Sequence, residues 1–240
     1  MTPESKRKIQ LVLVVALAAA AIRAGYFFYQ GYFERAEQTT KQAPPLNPDY
    51  YVSPKKLYPY DLKSAKQLTQ QPVWVKEGYR YTYYPYDSTR RRTDFSHEAG
   101  LLLPIQRLEI KDVVTDAIPR SADQRQVMAL FEQQGKTYTL PIGSLQGGNY
   151  HIYSDEIFYI QDPRELYKHW PPDIWEAIAQ HHVKPGMNEY QADFAIGMGI
   201  PERSTNAAVK TVHYPNGGKP LTITYRNGKA AEIAAGPPAK

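Results

Sequence analysis

The residues whose types and spacing best suit binding chemistry are tyrosines and arginines in one short stretch. The stretch contains Tyr79, Arg80, Tyr81, Tyr83, Tyr86, Arg90, Arg91 and Arg92. Aromatic rings stack on bases and sugars, and guanidinium groups attract phosphates, so the stretch predicts a contact site for a ligand or partner. An anionic lipid headgroup, a glycan and a single-stranded nucleic acid all have suitable chemistry. The structural alternative is a strand whose alternate tyrosines pack into a core, followed by a solvated arginine turn.

The sequence contains no recognisable motif for catalysis, for a metal ion or for a cofactor. No cysteine occurs among the 240 residues, which excludes thiolate nucleophiles, disulfides and thiolate metal sites. The six histidines lack the H-x-x-x-H and H-E-x-x-H spacings of zinc sites. Gly143 and Gly148 have the glycine spacing of a phosphate-binding loop, but Asn149 stands where that loop needs a lysine. We therefore expect a protein that is not an enzyme and that uses no cofactor.

The N-terminus predicts a membrane segment. Lys6, Arg7 and Lys8 precede a mostly apolar stretch over 9–29, whose only charged residue is Arg23. As a helix this stretch would span roughly 31 Å, about the hydrocarbon thickness of a bilayer. The basic residues before it predict that the N-terminus stays in the cytoplasm and that the chain after residue 30 is exported. The predicted location is therefore the cytoplasmic (inner) membrane, as a single-pass protein with an extracytoplasmic C-terminal region.

A cleaved signal peptide is the alternative for the same segment. Its apolar region would be residues 11–18, and the small residues Ala18 and Ala20 fit an A-x-A cleavage site. Cleavage would leave a secreted or periplasmic protein. The sequence leaves both possibilities open.

Composition divides the chain into six segments. They are a basic N-terminus (1–8), a transmembrane helix or signal sequence (9–29), a Pro-rich linker (30–60), a β-rich unit (61–162), an αα-β-hairpin unit (163–235) and a tail (236–240). The β-rich unit has runs of β-forming residues at strand period, which predict a small antiparallel barrel or sandwich. Strands are expected over 73–84, 107–118, 126–133, 138–142 and 150–160.

The αα-β-hairpin unit changes to the helical period. Asp162 and Pro163 fit the start of a short helix, and a second helix is predicted over 173–182. Asn188 and Gln191 have the spacing of a capping box at the start of a third.

Two turn signals predict hairpins. Gln134-Gly135-Lys136 separates two strand candidates, and Asn227-Gly228 is typical of a two-residue β-hairpin turn. The predicted fold class is therefore α+β: an N-terminal transmembrane helix, a β-rich small barrel or sandwich, and then helices that close on a C-terminal antiparallel β-hairpin.

Three short motifs near the C-terminus carry a family resemblance. They are Gly186-Met187 at a helix start, Gly199-Ile200-Pro201 after that helix, and Leu-Thr-Ile-Thr-Tyr-Arg-Asn-Gly-Lys over 221–229. Together they resemble the SmpA/OmlA domain of the BamE-type lipoproteins in the outer-membrane protein assembly machine. The resemblance implies helices and a β-hairpin that serve as a protein–protein contact module in the cell envelope. The chain departs from that family because it lacks the lipidated cysteine and because a long β-rich segment comes first.

These features predict a membrane-anchored, extracytoplasmic interaction or scaffold module of the bacterial cell envelope. Its expected partners are other envelope proteins, and the membrane itself through residues 9–29. The exposed side of the 209–233 hairpin and the 79–92 stretch would make the contacts. Nucleic acid is disfavoured as a partner because the region is predicted to be exported.

The alternative function is a cell-wall glycan or anionic-lipid binding module, with or without an enzymatic activity. A cavity between the two folded units, lined by converging carboxylates, would favour this alternative. A filled interface without such a cavity would favour the scaffold.

Overall fold

The computed structural model describes residues 14, 17–29, 47–78, 81–119, 121, 124–204, 206 and 208–236. The chain forms two compact units, one up to Tyr50 and one from Tyr51 onward. In the first unit, residues 17–29 are helical.

The predicted N-terminal transmembrane helix is wrong. Among the residues that the structure describes, no helix is both long enough and apolar enough to cross a membrane. The described helical stretch is about 20 Å long, against the roughly 30 Å of a bilayer core. It also contains Arg23. Residues 9–13, 15 and 16 of the predicted segment lie outside the described part of the chain.

The predicted α+β class is also wrong, because the structure is mostly β. In the second unit the longest helices, Pro172–Ala179 and Glu189–Ile196, have only 8 residues each. The helix predicted over 173–182 ends at Ala179 because the backbone takes a left-handed conformation at His181, where φ is 50°. The neighbouring residues His181 and His182 therefore lie beyond the end of this helix.

Strands make up most of the second unit. Their bounds are β1 Val73–Val75, β2 Thr82–Asp87, β3 Arg92–Thr93, β4 Gly100–Leu101, β5 Arg107–Leu108, β6 Ile110–Ala117, β7 Gln124–Gln133, β8 Lys136–Gln146, β9 Asn149–Ile152, β10 Phe158–Tyr159, β11 Ile200–Pro201, β12 Val209–Tyr214, β13 Leu221–Arg226 and β14 Lys229–Ala235. The α-helices are Leu62–Ala65, Ser154–Ile157, Pro163–Leu166, Pro172–Ala179 and Glu189–Ile196. Short 3-10 turns occupy Pro48–Tyr51, Lys66–Gln70 and Asn216–Gly218.

A curled antiparallel sheet of seven strands forms the β-rich part. Its main order is β3-β2-β8-β7-β6, with β4 also paired to β2 and β9 to β8. The β7–β8 hairpin turns at Gln134-Gly135, as predicted, and both turn residues have positive φ. Such a turn matches the twist of the flanking strands.

Asp116 joins the two edges of this curled sheet. One carboxylate oxygen accepts the backbone N–H of Thr93 at 2.5 Å, which links β6 to β3 at the opposite end of the strand order. The other oxygen accepts the N–H of Ala117 at 2.8 Å. Asp116 and Thr93 are both buried. The two edge strands, β3 and β6, are therefore joined by a side-chain hydrogen bond and not by backbone pairing between them.

Replacing Asp116 by Ala is expected to lower the free energy of unfolding by about 2–3 kcal/mol, because it leaves the buried N–H of Thr93 without an acceptor. Asp116→Asn keeps a carbonyl acceptor and should cost about 1 kcal/mol. Asp112→Ala is the control, since Asp112 lies on the same strand and also accepts the N–H of its next residue, Val113, but otherwise makes an exposed ion pair with Lys66 and no link to β3. Urea unfolding measures all three variants. Equal losses for Asp116→Ala and Asp112→Ala would contradict the edge-joining role.

Two predicted strands are interrupted because the chain changes sheets within them. Residues 73–84 contribute β1 to one sheet and the start of β2 to another. Residues 150–160 contribute to β9 and β10, and the Ser154–Ile157 helical turn lies between these strands. A straight strand cannot pair in two differently oriented sheets, so the turn replaces the continuous strand that periodicity predicts.

A small sheet of order β10-β1-β5 is shared by two hydrophobic cores. Val73 and Val75 are buried in the first core, which the curled sheet covers, whereas Trp74 packs against the second. In β10, Phe158 belongs to the first core and Tyr159 to the second. Because successive side chains of a strand point to opposite faces, this sheet is a common wall between the cores.

The second core lies between the C-terminal helices and a four-stranded antiparallel sheet, β11-β12-β13-β14. The predicted capping box is present, with the side chains of Asn188 and Gln191 each accepting the other's backbone N–H. The predicted Asn227-Gly228 turn joins β13 to β14. The closing element is thus a sheet of four strands, of which the predicted 209–233 hairpin supplies three.

Candidate functional site

The structure buries part of the predicted tyrosine stretch in the first core. Tyr83 packs edge-on against Phe131 and Tyr138, with ring centroids 5.6 and 5.1 Å apart. Tyr81 also packs against this core, and its hydroxyl donates to the backbone oxygen of Glu156 at 3.2 Å. Burial raises the pKa of Tyr81 to about 12. Tyr79 and Arg80 lie outside the described residues.

The arginines lie elsewhere, at the turn between β2 and β3. Arg90, Arg91 and Arg92 are exposed, and Arg90 pairs with Asp87 at 3.6 Å. Tyr86 is half-buried on β2. Tyr81 and Tyr83 therefore pack inward, away from the arginine turn. Tyr86 does not belong to this core and is near enough to Arg91 for the charge of Arg91 to act on its hydroxyl.

An open groove of about 420 Å³ lies beside the arginine turn. Arg90 and Arg92 line it together with Asp87 and Asp94. Hydrogen bonds from Ser96 and then from His97 lower the pKa of Asp94 to about 2, so this carboxylate stays charged. Two carboxylates beside two arginines leave no net attraction for a free anion.

Two surface clusters bring together a hydroxyl, an imidazole and a carboxylate. Ser96 and Asp94 contact His97, and on the exposed face of the C-terminal sheet His213 contacts Thr222 at 2.9 Å and Glu202 at 2.5 Å. Both histidine clusters are open to solvent, whereas nucleophilic catalysis needs an enclosed site with oxyanion donors. Among the described residues, no three histidines and carboxylates are grouped to hold a metal ion.

A groove lined mainly by apolar residues, but also by Lys76, His181 and Asn216, lies where the β-rich part meets the C-terminal helices. We call it the junction groove; residues 101–104 line one side and residues 195–197 the other, around about 70 Å³. No carboxylate of the described residues lines it. It therefore lacks the converging carboxylates that would have favoured an enzyme acting on glycans.

The close approach of the two sides depends on glycine. Gly197 has φ +85°, and a Cβ at this position would lie 2.9 Å from the backbone oxygen of Gly78 and 3.8 Å from Pro104. The N–H of Met198 donates to the same oxygen of Gly78 at 3.2 Å. A side chain at residue 197 would push these backbones apart.

Four exposed aliphatic side chains accompany the junction groove. Leu101, Leu103, Met198 and Ile200 are 37% to 57% exposed, and in the described part of the second unit they are the only large aliphatic side chains exposed to this degree. Leu101 and Leu103 line the groove, whereas Met198 and Ile200 follow Gly197 along the chain. Clustered exposure of this kind is typical of a contact surface for another molecule.

A hydrogen-bonded network fixes the helix that forms one side of the groove. The Tyr159 hydroxyl donates to the carboxylate of Glu77 at 2.9 Å, and Tyr190, on the Glu189–Ile196 helix, contacts Tyr159 at 3.3 Å and Tyr167 at 2.7 Å. Burial raises the pKa of Glu77, against the effect of these hydroxyls. It also raises the pKa of Tyr159 and Tyr190, so both remain donors. The network thus ties the end of β1 to the helix.

Asp193 is a second carboxyl group on the same helix. One of its oxygens is buried and has no hydrogen-bond partner. Burial, followed by the charge of Glu189, raises its pKa to about 7, while the hydroxyl of Tyr214 acts in the opposite direction. Asp193 does not line the junction groove. Its charge therefore bears on the stability of the fold.

Comparison of the chain with protein-family models, with curated proteins and with solved structures found no match. The resemblance to the BamE-type domain therefore stays a prediction, although helices do precede an antiparallel sheet in the C-terminal region.

Sequence reasoning missed the junction groove. Its sides are about 90 residues apart in the chain, and only long-range packing brings them together. One signal was present: Leu101-Leu102-Leu103-Pro104 is an apolar run with neither strand nor helix period. The structure buries Leu102 and leaves its two leucine neighbours exposed.

Proposed function

We propose that this chain is a non-catalytic protein–protein contact module of the bacterial cell envelope, and that the junction groove receives an apolar side chain of the partner. The observation that carries the proposal is the set of four exposed aliphatic side chains at and beside a preformed groove. Burying apolar surface contributes about 25 cal/mol per Å², so the surface of these side chains favours association.

The shape of the groove fits a contact better than a small-molecule site. A volume near 70 Å³ is far smaller than the several hundred Å³ of typical ligand pockets, but it matches one protruding side chain. The groove sides are also held in place, by the Met198–Gly78 hydrogen bond and by the network of Glu77, Tyr159 and Tyr190. A preorganised surface loses little conformational entropy when it binds.

The envelope location is supported by the sequence. Lys6, Arg7 and Lys8 precede an apolar stretch, which is the charge order of exported chains. The BamE-type resemblance points to the same compartment. The expected partner is therefore an envelope protein with an exposed apolar anchor residue.

A photo-activatable cross-linking amino acid at Leu103, in living cells, is expected to give one discrete adduct with an envelope protein, because Leu103 faces the bound partner. The same amino acid at Lys136, an exposed position in the β7–β8 hairpin, is the control and should give no such adduct. Adding Ile200→Asp to the Leu103 probe should reduce the yield at least about tenfold, since it places a charge in the apolar surface.

Equal adducts from Leu103 and Lys136 would contradict the contact surface. Adducts only with cytoplasmic proteins would keep a contact surface but contradict the envelope location. Mass spectrometry of the adducts separates these outcomes.

A further inference from the structure

We infer that a second groove, lined by residues of the Pro163–Leu166 and Pro172–Ala179 helices and of the segment between them, binds a sugar ring that carries a carboxylate. This site is independent of the proposed partner contact. The groove is open, about 490 Å³ in volume, and is lined mainly by Arg164, Lys168, Trp170, Trp175 and Glu176. We call it the tryptophan groove.

The floor of the tryptophan groove is a rigid aromatic stack. Trp170 is buried and stacks on Tyr167 at a centroid distance of 4.6 Å, and it meets Phe194 edge-on at 5.0 Å. Trp175 lies 5.2 Å from Trp170 at 35° and is half-buried. Its ring is therefore held in place from below while part of it remains open to the groove. A fixed indole is a platform for the apolar face of a sugar ring.

Two cations border this platform. Arg164 and Lys168 are exposed, and neither side chain forms an ion pair or hydrogen bond within the described residues. Other basic side chains of the described residues form ion pairs, such as Lys184 with Asp173 and Lys210 with Glu189. Arg164 and Lys168 are thus free to meet an anionic group of a ligand.

Glu176 restricts the kind of anion. Its carboxylate lines the same groove, and within the described part of the chain it accepts one long hydrogen bond, from the side chain of Gln180 at 3.4 Å. Two cations and one carboxylate leave a single net positive charge, which one carboxylate on the ring compensates, whereas most charges of a polyphosphate backbone would find no cation here. The Glu176 oxygens can accept hydrogen bonds from hydroxyl groups, which a sugar has and a lipid tail lacks.

The test is isothermal titration calorimetry of the full chain with a galacturonate trisaccharide, and with maltotriose as the neutral control. Binding of the acidic sugar should be at least about tenfold tighter at low salt, because only it meets the two cations. Arg164→Gln combined with Lys168→Gln should remove that preference. Lys136→Gln combined with Lys229→Gln changes the net charge equally at exposed positions and should keep it.

The platform is tested by a pair of variants. Trp175→Ala should weaken binding about tenfold, whereas Trp175→Phe, which keeps a flat ring and the fold, should weaken it no more than about threefold. Equal binding of both sugars, no binding of either, or an unchanged affinity in Trp175→Ala would each overturn the inference. Displacement of the sugar by a tighter-binding acidic proline-rich peptide would replace it with a peptide site.

Discussion

Replacing Asp193 by Asn is expected to raise the free energy of unfolding at pH 8 by about 2 kcal/mol and to leave it nearly unchanged at pH 4. The reason is the buried, unpartnered oxygen of this carboxyl group. At pH 8 the folded protein must hold a charge in a poorly solvated position, close to the carboxylate of Glu189. An amide of the same shape carries no such charge.

The direction of this pH dependence follows from the pKa of Asp193 in the folded protein and its ordinary pKa, which applies to the unfolded chain. The folded pKa of Asp193 is about 7, whereas the ordinary value is 3.8. The folded protein therefore binds this proton more tightly than the unfolded chain does. The stability that this bound proton contributes is fully present below about pH 4, and it is lost as the pH rises through the folded pKa of about 7. A displacement of this size corresponds to at most about 4 kcal/mol, of which the amide's own desolvation offsets part.

Urea unfolding between pH 4 and pH 8 measures the effect. The unfolding free energy of the wild type should fall with rising pH more steeply than that of Asp193→Asn. Glu165→Gln removes the same charge at an exposed position on the surface, so its curve should parallel the wild type. Parallel curves for Asp193→Asn and the wild type would show that burial does not raise the pKa of this carboxyl group.

Replacing Phe194 by Ala is expected to lower the free energy of unfolding by about 3–5 kcal/mol. Phe194 is completely buried at the centre of the second core. Its ring lies 4.9 to 6.1 Å from the rings of Tyr190, Trp170, Tyr167 and Tyr159. Because these rings are large and hold one another in place, they cannot collapse into the space that a missing phenyl ring leaves.

Phe194→Leu should cost less, about 1–2 kcal/mol, since it keeps most of the apolar volume. The control is Phe95→Ala, at a half-buried ring whose one ring contact among the described residues is with Tyr84, at 5.4 Å. If Phe194→Ala cost no more than Phe95→Ala in urea unfolding, the aromatic cluster would not be the centre of this core.

The features that sequence predicted correctly are local ones. The Asn188–Gln191 capping box and the turns at Gln134-Gly135 and Asn227-Gly228 each depend on a few neighbouring residues, whose backbone preferences decide the result. The helix predicted over 173–182 was too long because periodicity does not register the left-handed backbone at His181.

The candidate site was harder to predict because its chemistry depends on which way side chains face. Tyr81 and Tyr83 suit a binding surface by type, yet the register of the curled sheet turns them toward the first core. Leu103 and Gly197 carry no binding signal alone, and they form a groove only after distant segments pack. Trp170 and Trp175 likewise become a platform through the rings behind them.

The shared wall formed by β10, β1 and β5 limits how this protein can be divided. A gene fragment that encodes only residues 163–235 would lack Trp74 and Tyr159, which cover one side of the second core. Its product would expose that apolar surface to water. The C-terminal region is therefore not a transplantable module, whatever its ancestry. Recombination between genes would preserve this protein only at breakpoints that keep β1 and β10 with the helices they cover.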